Sequence, residues 1–464
     1  LAVDPTLSAA VIAGKLASGA IRRLGRGGGT TLPGRISASI DGRALEKLSR
    51  SLELGSIVVA GTNGKTTTAT LLRTILEASG ARVVGNRAGA NLVSGLTAAI
   101  VADSRLGGGA RAQVAVFEVD EASLPAVVAA TSPRVAVVTN LFRDQLDRYG
   151  ELESSAAAIS AGLAALPQAA QAVLCADDPA VAYLGRDLRA KVRFFGIDDE
   201  AVGQDGLPHA ADSKFCPICG QPFDFSRVYV GHLGHYRCPT GDFDRPSRDL
   251  SADRVDFSGL VSQRLSVSGM GLAGEQVEVP LSGLYNTYNV LAATAAALSA
   301  GVPMPTIRAA LAGFRPAFGR LERVDVDGRI LHLMLAKNPA GFNEVLRASR
   351  TLGGGRRFLV AVNDRIADGR DISWIWDVDF ELLNDADRVV LAGDRALDMR
   401  IRLKYAGLPT ERVEVASGSA AAVDAALRLA ADGDEVFVLP TYTAMLELRS
   451  EMARRGYLRQ FWEG

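Results

Sequence analysis

Lys65 and Thr66 sit in a glycine-bearing run, Gly61-Thr62-Asn63-Gly64-Lys65-Thr66-Thr67-Thr68, whose residue types suit it to holding a polyphosphate. The two glycines leave backbone N–H groups unobstructed, and a helix opening near Thr66 adds the positive end of its dipole. In such a loop the Lys65 ammonium reaches the β- and γ-phosphates and the Thr66 hydroxyl ligates Mg²⁺. The general pattern has a glycine six residues before the lysine. That position is Val59 here, so the loop is a shortened form. Ile57-Val58-Val59-Ala60 ahead of it reads as a buried strand, and Thr66–Ser79 behind it as a helix. A strand, loop and helix of this content bind ATP or a close relative.

Further groups suit the same chemistry. Val114–Val119 reads as a buried strand ending in Glu118-Val119-Asp120-Glu121, which places carboxylates at the sheet edge where ligands bind in parallel α/β folds. Glu118 is placed there as a Mg²⁺ ligand. Val135–Asn140 is a second such strand, and the polar run Leu141–Gly150 after it is expected at the site. Asn286 and Asn289 open an Ala-rich helix three residues apart and share a face. There an amide pairs with an adenine edge or one asparagine caps the helix. Lys337, after the strand Ile330–Leu335, is suited to stabilising charge on a transferring phosphoryl group.

Cys216-Pro217-Ile218-Cys219-Gly220 has the spacing of a metal knuckle, and Cys238-Pro239-Thr240-Gly241 looks like half of a second. A four-cysteine zinc ribbon needs cysteine at 241, where the chain has glycine. Asp242, His235 or His232 is then the candidate fourth Zn²⁺ ligand, or the ribbon has kept its shape without the metal. Its role is structural in the first case.

These residues must be held by a large scaffold. The chain has 464 residues, enough for two or three domains with their own cores. Lysine plus arginine number 51 against 52 aspartate plus glutamate, a net charge of −1 that excludes a global basic field for nucleic acid. No secretory pattern is visible, and no apolar run approaches the roughly 20 residues of a membrane span. Three of four cysteines fall within 23 residues, which reads as metal rather than disulfide, and a cytoplasmic enzyme is expected. Val/Ile/Phe-rich strands (Ser56–Ala60, Val114–Val119, Val135–Asn140, Ala172–Cys175, Phe358–Val362, Arg388–Ala392, Glu435–Pro440) alternate with Ala/Leu-rich helices, so the fold class is α/β with parallel sheets. The expected division is an N-terminal elaboration over 1–55, a nucleotide-binding domain over 56–315 with a ribbon insertion at about 205–250, and a C-terminal α/β domain over 316–464.

G-T-N-G-K-T, the glutamate after the second strand, T-N-L-x-x-D-x-L-D, A-D-D-P at 176–179 and Y-N-x-Y-N, in this order, resemble the Mur ligases. The resemblance implies a Mur ligase-like central domain and a Rossmann-like C-terminal one, and an ATP-dependent enzyme that activates a carboxylate as an acyl phosphate for attack by an amine. It implies phosphate and Mg²⁺ roles for Lys65, Thr66 and Glu118, adenine contact for Asn286 and Asn289, and nucleotide contact for Arg320. Two departures stand out. The amino-acid-adding members have a histidine where this chain has Gln145, and a carbamoylated lysine some fifteen residues later. Here no lysine occurs from Thr66 to Ala190. A Mur-type amino-acid or polyglutamate ligase is therefore the alternative rather than the favoured reading.

The ribbon and the segment Ala367-Asp368-Gly369-Arg370-Asp371-Ile372-Ser373-Trp374-Ile375-Trp376-Asp377 narrow the resemblance to the MurT family of synthetase subunits. That family implies amidation of the α-carboxyl of D-glutamate in the lipid II stem peptide, at the inner face of the membrane. Ammonia comes from a GatD-like glutaminase subunit in a heterodimer. It also implies that an acid of this segment completes the glutaminase's Cys-His pair; Asp371 is favoured, with Asp368 and Asp377 as alternatives. The residues agree that ammonia is made elsewhere. Cys175 lacks the flanking glycines of a nucleophile elbow, the other cysteines belong to the ribbon, and only His332 lies far from it.

Overall fold

Strands β1 (Ser56–Ala60), β3 (Val114–Glu118) and β4 (Val135–Val138) are buried at every position, as β-branched runs covered on both faces require. The computed structural model describes residues 4–23, 31–86, 89–143, 152–208, 211–259, 261–315, 320–336, 338–350, 356–430 and 435–458. Each fully buried Val, Ile or Leu contributes about 1.5–3 kcal/mol. The strands are therefore the main apolar anchor of the site.

With β2 (Val83–Val84), β5 (Gln171–Cys175), β6 (Lys191–Ile197), β9 (Leu250–Ser258), β10 (Ser262–Gly269) and β11 (Leu272–Val279) they form a nine-stranded sheet. Its order is β11-β10-β9-β6-β5-β4-β1-β3-β2. Strands from β2 to β9 run parallel, and β9, β10 and β11 form an antiparallel meander at one edge. β1 lies between β3 and β4, the point at which chain order reverses and ligands bind in open α/β sheets. Helices Lys65–Ala78 and Leu284–Ser299 pack against each other near this point. N-terminal helices Pro5–Arg23 and Ala44–Ser49 add Leu7, Val11, Leu45 and Leu48 to the same core.

Between β6 and β9 the chain leaves the sheet and forms the antiparallel hairpin β7 (Asp224–Val230) and β8 (Leu233–Arg237), next to the cysteines. The polar, turn-rich sequence after Glu200 is thus two things. One is this small lobe, and the other is the meander, which extends the main sheet.

The second sheet holds β12 (Arg320–Val326), β13 (Arg329–Met334), β14 (Arg357–Ala361), β15 (Arg388–Ala392), β16 (Val413–Val415) and β17 (Glu435–Pro440) in the order β12-β13-β17-β14-β15-β16. All pairs but β12–β13 are parallel. Separate apolar clusters cover its two faces, one centred on Phe342, Phe358 and Phe380, the other on Leu331, Val438 and Met445. Among the described residues, no helix is long and apolar enough to cross a membrane.

Candidate active site

The phosphate loop leaves β1 with Gly61 at φ +116° and enters its helix through Gly64 at φ +85°, both in the region that favours glycine. A Cβ on Gly61 would lie 2.4 Å from Thr139 Oγ1, and one on Gly64 2.0 Å from Asn289 Oδ1. The segment after β4 laces the loop in place. Thr62 N donates to Asn140 O (2.9 Å) and Asn63 N to Asn140 Oδ1 (2.8 Å). Asn140 Nδ2 (3.0 Å) and Thr139 Oγ1 (2.7 Å) donate to Asn63 O. The Thr62 hydroxyl accepts from Phe142 N (2.9 Å) and donates to Phe142 O (3.1 Å).

Helix Lys65–Ala78 begins directly after Gly64, so the positive end of its dipole faces the loop. Lys65 Nζ lies back over the loop, donating to Gly61 O at 2.5 Å and pairing with Glu121 at 2.6 Å, both side chains only about a tenth exposed. Glu118 ends β3 with its backbone clamped by Asn86, which accepts from Glu118 N and donates to Glu118 O, both at 2.9 Å. Register pairs Glu118 with Val59, so this carboxylate lies level with the start of the phosphate loop. Glycines without room for a side chain, a lysine reaching over them and an acid on the next strand fit a nucleoside triphosphate with Mg²⁺.

Asn286 and Asn289 are buried and linked to each other and to the loop's helix. Thr68 Oγ1 donates to Asn289 Oδ1 (3.3 Å), Asn289 Nδ2 to Asn286 Oδ1 (3.1 Å), and Asn286 Nδ2 to Ser282 O (2.8 Å). The cap of their helix is Gly283, not an asparagine. Asp177, which the sequence offers within A-D-D-P without a role of its own, is fully buried. It accepts from Ile197 N (2.9 Å), Tyr288 OH (2.7 Å) and Arg245 Nε (2.7 Å), joining the asparagine helix to the inserted lobe. Its neighbour Asp178 accepts from Leu141 N at 2.7 Å and caps the helix Pro179–Leu184.

Two contacts bring the second sheet to this edge. Asn338 Nδ2 donates to Asn63 Oδ1 (2.9 Å), and Arg143 pairs with Asp377 (3.4 Å) as well as with Asp212. Asp377 ends the single turn Ser373–Asp377. Asp368, by contrast, is buried and accepts from Thr443 N (2.8 Å) and Thr443 Oγ1 (2.5 Å). Asp371 is exposed, and the backbone N–H (2.8 Å) and hydroxyl of Ser373 hold its carboxyl below the usual carboxylate range. Trp374 packs on Phe342, whereas Trp376 is half exposed beside Tyr405.

The Cys216, Cys219 and Cys238 sulfurs lie within 4.8 Å of one another, as three ligands of one metal would. Burial opposes ionisation of Cys238, but hydrogen bonds from the Thr240 hydroxyl and nearby backbone N–H groups outweigh it and bring the thiol to about 6. That shift favours the thiolate, the form that binds metal.

The chain is similar to known proteins along almost its whole length. Residues 59–231 match the Mur ligase middle domain and residues 335–445 the MurT ligase C-terminal domain. It is 32% identical over 84% of its length, and 86% of the relative's, to the lipid II isoglutaminyl synthase (glutamine-hydrolyzing) subunit MurT of Staphylococcus aureus strain N315. It is 31% identical to the protein of the same description in Streptococcus pneumoniae strain R6, over 97% of this chain and 98% of that one. The chain belongs to the MurT family. A pseudomurein peptide ligase type C from Methanothermus fervidus shares the fold, with a TM-score of 0.65 at 22% identity over 86% of this chain and 79% of that one.

This MurT-family chain departs from the sequence expectations at the cysteine lobe. Neither histidine completes the thiol group. His235 Nε2 lies 2.9 Å from Ile197 O and 3.1 Å from Tyr229 OH, and His232 is buried against the Phe142 ring. Asp242 stands outside the three-thiol group; its carboxylate, 2.6 Å from Thr240 Oγ1, competes with the thiols for that one hydroxyl proton. Thr240 is the nearer oxygen, 3.0 Å from Cys238 Sγ and 3.2 Å from Cys219 Sγ. The hairpin directs β8's histidine towards the sheet, away from the thiols. Lys337 and Gln145 lie outside the described residues, and Arg320 is described only as the start of β12, paired with Met334. Cys175 is fully buried, and burial beside Asp177 and Asp178 pushes its thiol well up, as befits an inert core residue.

Proposed function

We propose that this chain is the synthetase subunit of an ATP-dependent amidation, converting the α-carboxyl of D-glutamate in the lipid II stem peptide to an amide at the inner face of the membrane. The observation that carries the reading is the phosphate loop at the sheet's reversal point, with Lys65 Nζ poised over Gly61. The γ-phosphoryl group of ATP passes to the carboxylate, giving an acyl phosphate and ADP. Ammonia attacks the acyl carbon, and phosphate leaves with the C–O bond. Bound Mg²⁺ would neutralise phosphate charge, with Thr66 and Glu118 as its ligands. Gly61–Thr67 cradle the phosphates, Lys65 follows the charge on the transferring group, Lys337 serves it from the C-terminal domain, Arg320 contacts the nucleotide near the domain junction, and Asn286 and Asn289 form the adenine end.

Ammonia comes from a glutaminase subunit in a heterodimer. Asp371 is the residue offered to its Cys-His pair, because it is exposed and ionised while Asp368 is committed to Thr443 and Asp377 to Arg143. Zn²⁺ held by Cys216, Cys219 and Cys238 has a structural role in the lobe.

The test uses the chain co-purified with its glutaminase, a D-glutamate stem peptide on a lipid carrier, ATP and glutamine. The expected product is lighter by about one mass unit, and Lys65→Ala abolishes it while the two subunits still co-elute. Amidation surviving in Lys65→Ala would sink the phosphoryl-transfer reading, and incorporation of an amino acid in place of ammonia would favour the ligase alternative.

A further inference from the structure

Two routes of contact run from the phosphate loop to the segment carrying Asp371. On the first, the Thr62 hydroxyl holds Phe142 by both its N–H and its carbonyl. The next residue, Arg143, donates its backbone N–H to Asp212 (3.0 Å) and pairs through its guanidinium with Asp212 and with Asp377 (3.4 Å). On the second, Asn63 Oδ1 accepts from Asn338, whose own Oδ1 accepts from Gly341 N (2.9 Å) at the start of helix Pro339–Arg350. That helix supplies Asn343, which accepts from Asp379 N at 2.8 Å, and Phe342, which packs on Trp374.

Both routes end on one unit. Asp371 caps Ser373, the turn runs to Asp377, and Ile375 is buried beneath it. Buried Arg402 donates to Ile375 O (3.2 Å) and Val378 O (2.7 Å), fixing the back of the turn. Such a unit moves as a piece, so a shift at Asp377 is passed to Asp371. Within the loop, the Thr62 side chain turns to Phe142, next to Arg143, and the Asn63 side chain to Asn338 of the other domain. Chains of hydrogen bonds and packed elements of this kind carry energetic coupling between sites.

We propose that Arg143 is a positioning residue that couples occupancy of the phosphate loop to the placement of Asp371, so that the partner's glutamine hydrolysis depends on bound nucleotide. The proposal rests on the reading of Asp371 given above. Ammonia is then released chiefly when an acyl phosphate can be formed to trap it. Coupling energies between sites are typically worth about 5- to 150-fold.

The experiment measures glutamate release from glutamine by the purified two-subunit complex, without lipid substrate, with and without Mg²⁺ and a β,γ-imido ATP analogue. The wild-type rate is expected to change by about fivefold or more on adding the analogue. Arg143→Ala and Asp377→Asn, which break the same pair from opposite sides and leave the Asn338 route intact, are expected to lower the ratio clearly, while fluorescence titration still detects analogue binding. Arg143→Lys is expected to restore part of the ratio. An unchanged ratio in Arg143→Ala and Asp377→Asn, or no ratio in the wild type, overturns the coupling. Asp371→Asn separates the two ideas. Wild-type glutamine hydrolysis in that variant overturns the reading of Asp371, whereas its loss alongside an intact ratio in Arg143→Ala overturns the coupling alone.

Discussion

Asn289 Oδ1 occupies the space in which a side chain on Gly64 would begin, 2.0 Å from that Cβ position, so the asparagine-bearing helix and the phosphate loop are packed without slack. Gly64→Ala meets both this collision and a φ of +85°. Left-handed strain on a non-glycine residue costs on the order of 1–3 kcal/mol. The variant is expected to lose roughly tenfold or more in nucleotide affinity, since the loop must shift by more than the tolerance of phosphate hydrogen bonds. Titration with a fluorescent ATP analogue reads this directly. Wild-type affinity would mean that Asn289 swings aside freely.

Asp177 is the second point at which distant parts meet. Its carboxylate is fully buried and paired with Arg245 at 2.6 Å. Asp177→Ala removes the acceptor of the Tyr288 hydroxyl and the fully buried one of the two carboxylates on Arg245, which keeps Asp198 at 2.9 Å. Breaking a buried pair from one side costs about 3–5 kcal/mol. A clear drop in the urea midpoint is expected, with the lobe becoming more sensitive to proteolysis. A midpoint within error of wild type would contradict the buried-hub picture.

Asp177 also marks where sequence reasoning stops. Strand β1, the loop and its lysine are legible because β-branched runs, glycine and lysine act locally, and helix Lys65–Ala78 starts within one residue of expectation. β3, β4 and β14 came out within two residues at their ends for the same reason. The partners of Asp177 lie 68 and 111 residues away, and Thr68 and Asn289 are 221 apart. No periodicity encodes such pairs. His235 points away from the thiols because a strand alternates its side chains, and His232 lies in the hairpin turn against Phe142; proximity in sequence to a cysteine does not settle which face a residue takes.

Glu344, on the helix that follows Asn338, is a pH-sensitive element of the C-terminal domain. Burial pushes its carboxyl up to about 7 from an ordinary value of 4.5, against the pull of Arg347. The folded state therefore binds the proton more tightly than the unfolded one between 4.5 and 7. Stability from this group is present at low pH and is lost as pH rises through that window. Each pKa unit is worth about 1.4 kcal/mol, so a few kcal/mol is at stake. Glu344→Gln is expected to gain on wild type in Tm by several degrees between pH 5 and pH 8, while Arg347 keeps Asp379 at 3.3 Å. A Tm difference that is flat in pH would show that Glu344 is solvated or fully paired.

The thiol group offers a prediction about its metal. The purified chain is expected to carry about one zinc, and Cys216→Ser to lose it together with several degrees of Tm. Asp242→Asn is expected to retain it, because the Asp242 carboxylate is held off the thiols by the Thr240 hydroxyl. Elemental analysis decides the point. Loss of half or more of the zinc in Asp242→Asn would place that carboxylate on the metal.

The inserted lobe leaves and rejoins the large sheet through a single ladder. β6 and β9 are neighbours in register, Ile197 opposite Ala252, and the crossing is stitched by Asp198 N to Ala252 O (2.9 Å) and Asp249 N to Phe194 O (2.7 Å). Some fifty residues thus enter and leave through two adjacent strands, about 5 Å apart, and pack back on the sheet through Arg245 on Asp177 and His232 on Phe142. A lobe joined in this way can be enlarged, trimmed or exchanged between relatives without re-registering the strands that carry the phosphate loop.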